Sequence, residues 1–377
     1  MTKRALSCML LAVALLCPAA PGRAADFEAE TAFHYQAWSN DADEDGYQTY
    51  VPLYLRGALS QFRWEVVAGY ADTGAEFEVL GDRSISGFLD TQLNLSYVLA
   101  HTLGLDWLFG VDTNLPTGRT GLDPRDLRVM LDPDLVSIVT PGRGLDFNPF
   151  VNVARRWQNW TFGAGTGYAI QGEYDYSSVD RDYDPGDIWN VAAEILYEWQ
   201  SGWQARFFGQ YAMFDTDTLA GEDLLERGDT LLVGAGVRYK QEAYQLGLTV
   251  RTITRQKSEY RLVSGTGIGT EPHNGYGDEW GADLDARYQL SKATTASALL
   301  GYLYVAENDY DPSNIYYVGQ RTKTSLSLGL GHELNDWLHL QAALAGFLMD
   351  DDPNWIHPGQ ERSYQGWSLC IAATTRF

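Results

Sequence analysis

Cysteine is nearly absent. The 377-residue chain has three, and two of them, Cys8 and Cys17, lie in its first apolar segment. With Cys370 alone beyond that segment, a disulfide framework and a cysteine metal cluster within the chain are both excluded. Basic residues are scarce too: 27 Lys and Arg stand against 50 Asp and Glu, for a formal charge of −23. Nucleic acid is a poor partner for a chain so acidic. Past the N-terminal segment no apolar run reaches the roughly 20 residues that a membrane-spanning helix needs. The six histidines, His34, His101, His273, His332, His339 and His357, sit in no nucleophile, paired-metal or phosphate-loop motif. No enzymatic activity is expected.

Aromatics and glycine are plentiful, with 23 Tyr, 12 Trp and 38 Gly. The stretch Glu279–Ser291 shows how they are used. Trp280, Ala282, Leu284, Ala286, Tyr288 and Leu290 alternate with Gly281, Asp283, Asp285, Arg287 and Gln289. Successive side chains of a β-strand face opposite sides, so this is a strand with one apolar and one ionic face. Sixteen segments read this way, from 26–38 through 61–71, 85–99, 145–157 and 318–333 to 363–377. Their connections alternate in length. Very short turns fall at Leu59–Ser60, Gln158, Gln200–Ser201 and Ser291–Lys292, and long loops at 39–45, 72–84, 115–144, 175–186, 215–227, 256–276, 307–317 and 349–362. Aromatics flank the short turns: Trp157 and Trp160, Trp199 and Trp203, Tyr239 and Tyr244. Five Asp-Pro pairs fall in the long loops, where proline withholds no ladder donor.

The start of the chain has Lys3 and Arg4, an apolar core Ala5–Leu16 and then Ala-rich residues. This reads as a secretory signal over 1–25, cut after Ala25, with 26–377 as one domain. These features together predict an all-β fold: a transmembrane antiparallel barrel of about 16 strands, 14 being the alternative, with short periplasmic turns and long extracellular loops.

On the inward faces the alternation places Arg56, Arg63, Glu65, Asp106, Asp112, Arg206, Arg238, Arg251, Asp283, Asp285 and Arg287. These line a pore or neutralise one another between strands. The third extracellular loop, 115–144, carries Arg119, Asp123, Arg125, Asp126, Arg128, Asp132, Asp134 and Arg143, with a short helix expected within Asp126–Ile138. Folded inward, mixed charges facing each other would set a transverse field and a size limit. Lying over the rim is the other option. Asp41, Asp43 and Asp45, followed by Gly46, match the opening of a Ca2+ loop, although Pro52 stands where the closing acid belongs. A solvated acidic loop is the competing reading, and no other cofactor is expected.

The layout resembles the Gram-negative outer-membrane barrels of the porin type. In that family the third loop folds into the barrel, and the last strand ends in an aromatic residue, as with Phe377 here, which the barrel-assembly machinery reads. The resemblance therefore implies that machinery, outer-membrane lipid and lipopolysaccharide as partners. It also admits a homo-oligomer, for which the weakly amphipathic segment 145–157 is a candidate surface. Leu115-Pro116-Thr117-Gly118 after one strand, and Tyr183-Asp184-Pro185-Gly186-Asp187 before another, are similar to outer-membrane proteins linked to the MetA pathway of phenol degradation. That resemblance implies passage of hydrophobic or aromatic compounds. The functional expectation is a passive channel for small solutes. A blocked barrel serving as a structural or binding surface, and an outer-membrane enzyme, are the alternatives.

Overall fold

The computed structural model describes residues 26–78, 81–130, 132–262, 267–354 and 359–377. The expected signal segment 1–25 lies outside the described residues. Apolar–polar alternation pairs the segments edge to edge in chain order, all antiparallel, into a sheet of seventeen strands. Two of them, Gly81–Phe88 and Thr91–Thr102, both pair with Phe62–Phe77 and form one interrupted strand of the wall. The wall thus has sixteen strands. It closes where Asp26–Asn40 pairs with Arg362–Arg376. Closure satisfies every ladder donor and acceptor without leaving an edge, which a sheet in lipid requires.

The outer face is apolar at mid-height. Leu248, Leu284 and Leu300 lie side by side on three neighbouring strands, each nearly half exposed. Towards the short turns the aromatics touch ring to ring. Trp160 and Trp199 both meet Tyr197 at 4.6 Å, and Trp203 and Tyr244 both meet Tyr239, at 4.8 and 5.9 Å. This is the interfacial girdle expected of such a barrel. At the seam Phe377 packs on Phe27 at 5.6 Å and donates its backbone N–H to the Phe27 carbonyl. Tight turns close the periplasmic ends with residues at positive φ, such as Ser60 and Gln158, at 58° and 53°.

Two expected long loops are corrected. At 39–45 the structure has a tight turn, closed by Asn40 N–H on the Glu44 carbonyl at 2.9 Å. At 72–84 the strand continues to Phe77 and returns from Gly81. Alternation persists through both stretches, with Gln48, Thr73, Ala75 and Ile85 facing inward, so pairing goes on above the bilayer. The first three and last three barrel strands consequently run to 14–16 residues. From Leu105–Leu115 round to Thr294–Val305 they have 11 or 12. One side of the wall is therefore taller, and its inner face carries the third loop.

Three of the other long loops contribute a small five-stranded sheet of Tyr183–Asp184, Thr216–Leu219, Glu222–Glu226, Glu259–Arg261 and Ile268–Thr270. Asp217 is buried within it and accepts from the Tyr183 hydroxyl at 2.5 Å and the Gly186 N–H at 2.8 Å. Burial, and then this carboxylate, push the Tyr183 hydroxyl well above the usual phenol range. A side chain at Gly186 would stand 2.0 Å from the Asp215 carbonyl, which accounts for the glycine of the Tyr-Asp-Pro-Gly-Asp motif.

Candidate functional site

The third loop is rooted in the break of the fourth barrel strand. Between Phe88 and Thr91 the ladder stops, and Asp90 turns to the loop instead. Its carboxylate accepts from Gly118 N–H, Arg143 N–H and the Asn114 amide, each at 2.7 Å. One side chain thus ties together both ends of the loop. Thr117 joins the same break, its hydroxyl accepting from Thr91 N–H at 2.8 Å. A side chain at Gly118 would lie 2.2 Å from the Pro141 carbonyl, so the Leu-Pro-Thr-Gly motif is the packed root of the loop. Replacing Asp90 with Ala removes the acceptor of three hydrogen bonds, two from half-buried donors, Gly118 N–H and the Asn114 amide, and one from the exposed Arg143 N–H. Hydrogen bonds to a charged group contribute about 1.5–3 kcal/mol each, so the root should open. Hydrogen exchange should then show Gly118 and Arg143 amides losing protection while amides of the strand Glu279–Gln289 keep theirs.

From that root the loop turns inside the barrel. Asp123 caps a short helix, Pro124–Leu127, followed by a 3-10 turn at Arg128–Met130. The helix lies earlier than the Asp126–Ile138 expectation because Asp123 accepts from Arg125 N–H and Pro124 occupies the first helical position. Leu122, Val129, Met130, Leu135 and Val136 are buried against Trp38, Ala75, Ile85, Met349 and Tyr364 of the tall wall. Beyond this apolar contact Ser137 and Ile138 donate backbone N–H groups to Gln36 and Gln48, at 3.0 and 2.8 Å, and Gln48 returns a bond to the Ile138 carbonyl at 3.0 Å.

The loop's acids bind the wall. Arg321, on the inner face of the fourteenth barrel strand, pairs with Asp132 at 3.0 Å, Asp134 at 2.9 Å and Asp351 at 2.9 Å. Lys323 donates to the Asp134 carbonyl. Arg143 pairs with Asp146 at 3.0 Å. Asp132, Asp134 and Arg143 are therefore neutralised against the wall and do not face charges across the lumen, which corrects part of the transverse-field expectation. Arg119, Asp123, Arg125, Asp126 and Arg128 make no ion pair among the described residues.

The wall residues sit on the inner face, as the alternation predicts, but in two electrical states. Arg56 is held by Glu28, Glu30 and Glu65, Arg206 by Glu194 at 2.6 Å, and Arg251 by Asp283 at 2.6 Å. Asp106 faces His101 at 3.3 Å, and Asp112 accepts from Asn94. Asp285 lies against Gly247, where a Cβ would meet its carboxylate. Arg63, Arg238 and Arg287 have no ion-pair partner among the described residues, and all three lie near the periplasmic ends of their strands. Below the loop, the wall from Arg63 round to Leu232 bounds a cavity of about 700 Å3, lined by Leu108, Ala154, Ala164, Ala192, Phe208 and the Arg206–Glu194 pair.

Asp41, Asp43 and Asp45 are the residues of the Ca2+ reading. They spread along a hairpin end whose centre is filled by Asn40, its amide oxygen accepting from Ala42 and Glu44 N–H at 3.0 Å. No metal-holding group of three acids, histidines or cysteines exists among the described residues. Asp90 and Arg321 are the residues that sequence reading passes over. Arg321 lay within reach, since it shares the inward parity of Lys323 and Ser325. Asp90 follows no alternation, because it stands where the strand breaks.

The chain path is similar to solved outer-membrane structures. Acinetobacter baumannii OccAB1 has a TM-score of 0.49 at 7% identity, with 94% of this chain and 97% of that one covered. Pseudomonas aeruginosa OccK7 (OpdD) has 0.48 at 11%, covering 94% and 99%. The Pseudomonas putida toluene transporter TodX has 0.42 at 10%, covering 95% and 91%. No curated protein matches the chain. A closed antiparallel wall with an apolar belt and an aromatic girdle has its place in the outer membrane of a Gram-negative bacterium. The family model for the "Putative MetA-pathway of phenol degradation" matches residues 27–263. That span holds both short motifs, the Asp90 root and the whole third loop, and the chain belongs to this family as a barrel of sixteen strands.

Proposed function

We propose that the protein is a passive channel that lets small solutes cross the outer membrane, with the third loop as the element that narrows it. The observation that carries this reading is the asymmetry of the lumen. The loop packs against the tall side of the wall, while the other side keeps a cavity of about 700 Å3 walled by small residues. Sixteen strands enclose more space than their own side chains fill. The family description attaches phenol degradation to such chains, which puts small aromatic compounds among the solutes to try. The reading involves no catalytic step.

Purified, folded protein in planar bilayers should give stable ohmic steps. Silence from protein that still shows the heat-shifted mobility of a folded barrel would sink the channel reading. Deleting Asp123–Asp134 should raise the step size if the loop narrows the path. An unchanged step would reject that role and leave the channel standing.

A further inference from the structure

The third loop has a second support, which lies outside the barrel wall. At Gly121 and Leu122 its backbone bonds to the next extracellular loop, 175–186. Gly121 N–H donates to the Asp175 carbonyl and Ser178 N–H to the Leu122 carbonyl, each at 2.8 Å. Leu122 also bridges to Ser177 in parallel, and both residues are almost fully buried. The Leu122 side chain belongs at the same time to the apolar cluster with Trp38 and Met349. One residue thus joins the wall contact to the outer loops.

From Ser177 the hydrogen bonds run on. The Ser177 hydroxyl accepts from Asp180 N–H at 2.9 Å and donates to the Asp180 carboxylate at 2.8 Å. Tyr174 and Tyr183 exchange both backbone bonds, at 2.9 and 3.0 Å. Tyr183 and Asp184 then pair with Leu219 and Thr218, and Leu225 and Glu226 with Tyr260 and Glu259. Asp217 sits buried at the joint of the first two loops and holds the Tyr183 hydroxyl, the Gly186 N–H and, at 3.2 Å, the Arg227 guanidinium. Among the described residues none of its hydrogen bonds or ion pairs reaches the third loop. If the outer sheet shifts, however, the loop 175–186 moves with it. The Gly121 N–H and the Leu122 carbonyl then lose their partners, and an unmade bond at a buried backbone group is costly.

We infer that Asp217 is a positioning residue for the third loop, acting through Tyr183, Ser177 and Leu122. The outer five-stranded sheet is then a brace that sets the aperture together with the wall. The inference deepens the channel reading and rests on it, since the aperture matters only if the loop narrows a path.

The test uses the full folded barrel. Asp217→Ala and Asp217→Asn are compared with the parent protein, each first checked for the heat-shifted mobility of the folded barrel. Hydrogen exchange in detergent reads the brace without current. In Asp217→Ala the Gly121 and Ser178 amides should lose protection about tenfold, as loss of one hydrogen bond to a charged group implies. The Gly118 and Arg143 amides at the Asp90 root should keep theirs. Asp217→Asn retains an acceptor for Gly186 N–H but loses the pairing with Arg227, so it should fall between the other two, and it carries the test if the alanine variant does not fold. Bilayer recordings should show a larger, noisier step in the same order. Unchanged protection at Gly121 and Ser178 overturns the inference, whether or not Gly186 has lost its own. Lost protection with an unchanged step keeps the brace and refutes only the narrowing role of the third loop. A parent barrel that never conducts refutes only the channel.

Discussion

Arg321→Ala should release the third loop from the wall and raise the single-channel step. Among the described residues the guanidinium is the only cation in contact with Asp132, Asp134 and Asp351 together, at 2.9–3.0 Å. Lys323 reaches only Asp134, at 3.9 Å. Without Arg321, three carboxylates remain within a few ångströms of one another, Asp351 almost fully buried. Removing one partner of a buried ion pair costs about 3–5 kcal/mol, and the lower end applies because a fifth of the Arg321 side chain reaches solvent. The cost is local, since Asp132 and Asp134 can move away on the loop while the strand ladder stays paired. Chemical denaturation should therefore show a modest loss of barrel stability. Bilayer recordings should show larger and noisier steps, as a loop still rooted at Asp90 but released from the wall around Asp132 and Asp134 samples the lumen. The double change Asp132→Asn with Asp134→Asn, with Arg321 kept, removes the repulsion along with the pairing. It should restore stability without restoring the small step. If Arg321→Ala conducts like the parent, the loop is held by its apolar contacts alone and the ion cluster does not set the aperture.

The second large effect separates the two faces of one strand. Leu284 stands on the outer face between Leu248 and Leu300 in the apolar belt. Leu284→Arg should cost about 2–4 kcal/mol at this depth, because no partner and little water reach it there. Asp283 is the next residue along and faces the lumen, where it holds Arg251 at 2.6 Å. Asp283→Asn frees that arginine in a water-filled space, so folding should be nearly untouched. The added positive charge should shift the reversal potential towards anions in a salt gradient. Refolding into lipid vesicles measures the first change and bilayer recording the second. Equal destabilisation by both would mean that Asp283 is not in water, and the assignment of the strand's faces would fail.

Both effects depend on a division that runs through the whole chain. The alternation Trp280–Leu290 is a local fact, set by the period of a strand, and it determines which residues meet lipid and which meet the lumen. The same parity places Arg56, Asp112, Arg206 and Arg287 on the inner wall without knowledge of any distant residue. Strand number is legible for the same reason, since each tight turn and each Asp-Pro pair marks an end. Where alternation continued past the bilayer, at 39–45 and 72–84, polar composition alone suggested loops. Inward Gln48 is satisfied by Thr73 on the next strand and by Ile138 in the third loop, and Ile85 by the loop's Val129 and Met130, and so the extension of those strands is not visible locally.

The sequence by itself thus determined a closed, exported barrel with an aromatic belt and a charged lumen, because period, turn chemistry and the need to pair every backbone group all act over a few residues. Only the tertiary structure decided what the charges do. Whether Asp132 crosses the pore or clasps Arg321 depends on where a thirty-residue loop lies inside a ring of strands, and hydrophobic packing of Val129, Met130 and Val136 against Trp38 and Met349 settles that. Asp90 belongs to the same category. A carboxylate in a broken strand looks like any loop acid until the two ends of the loop arrive at its oxygens.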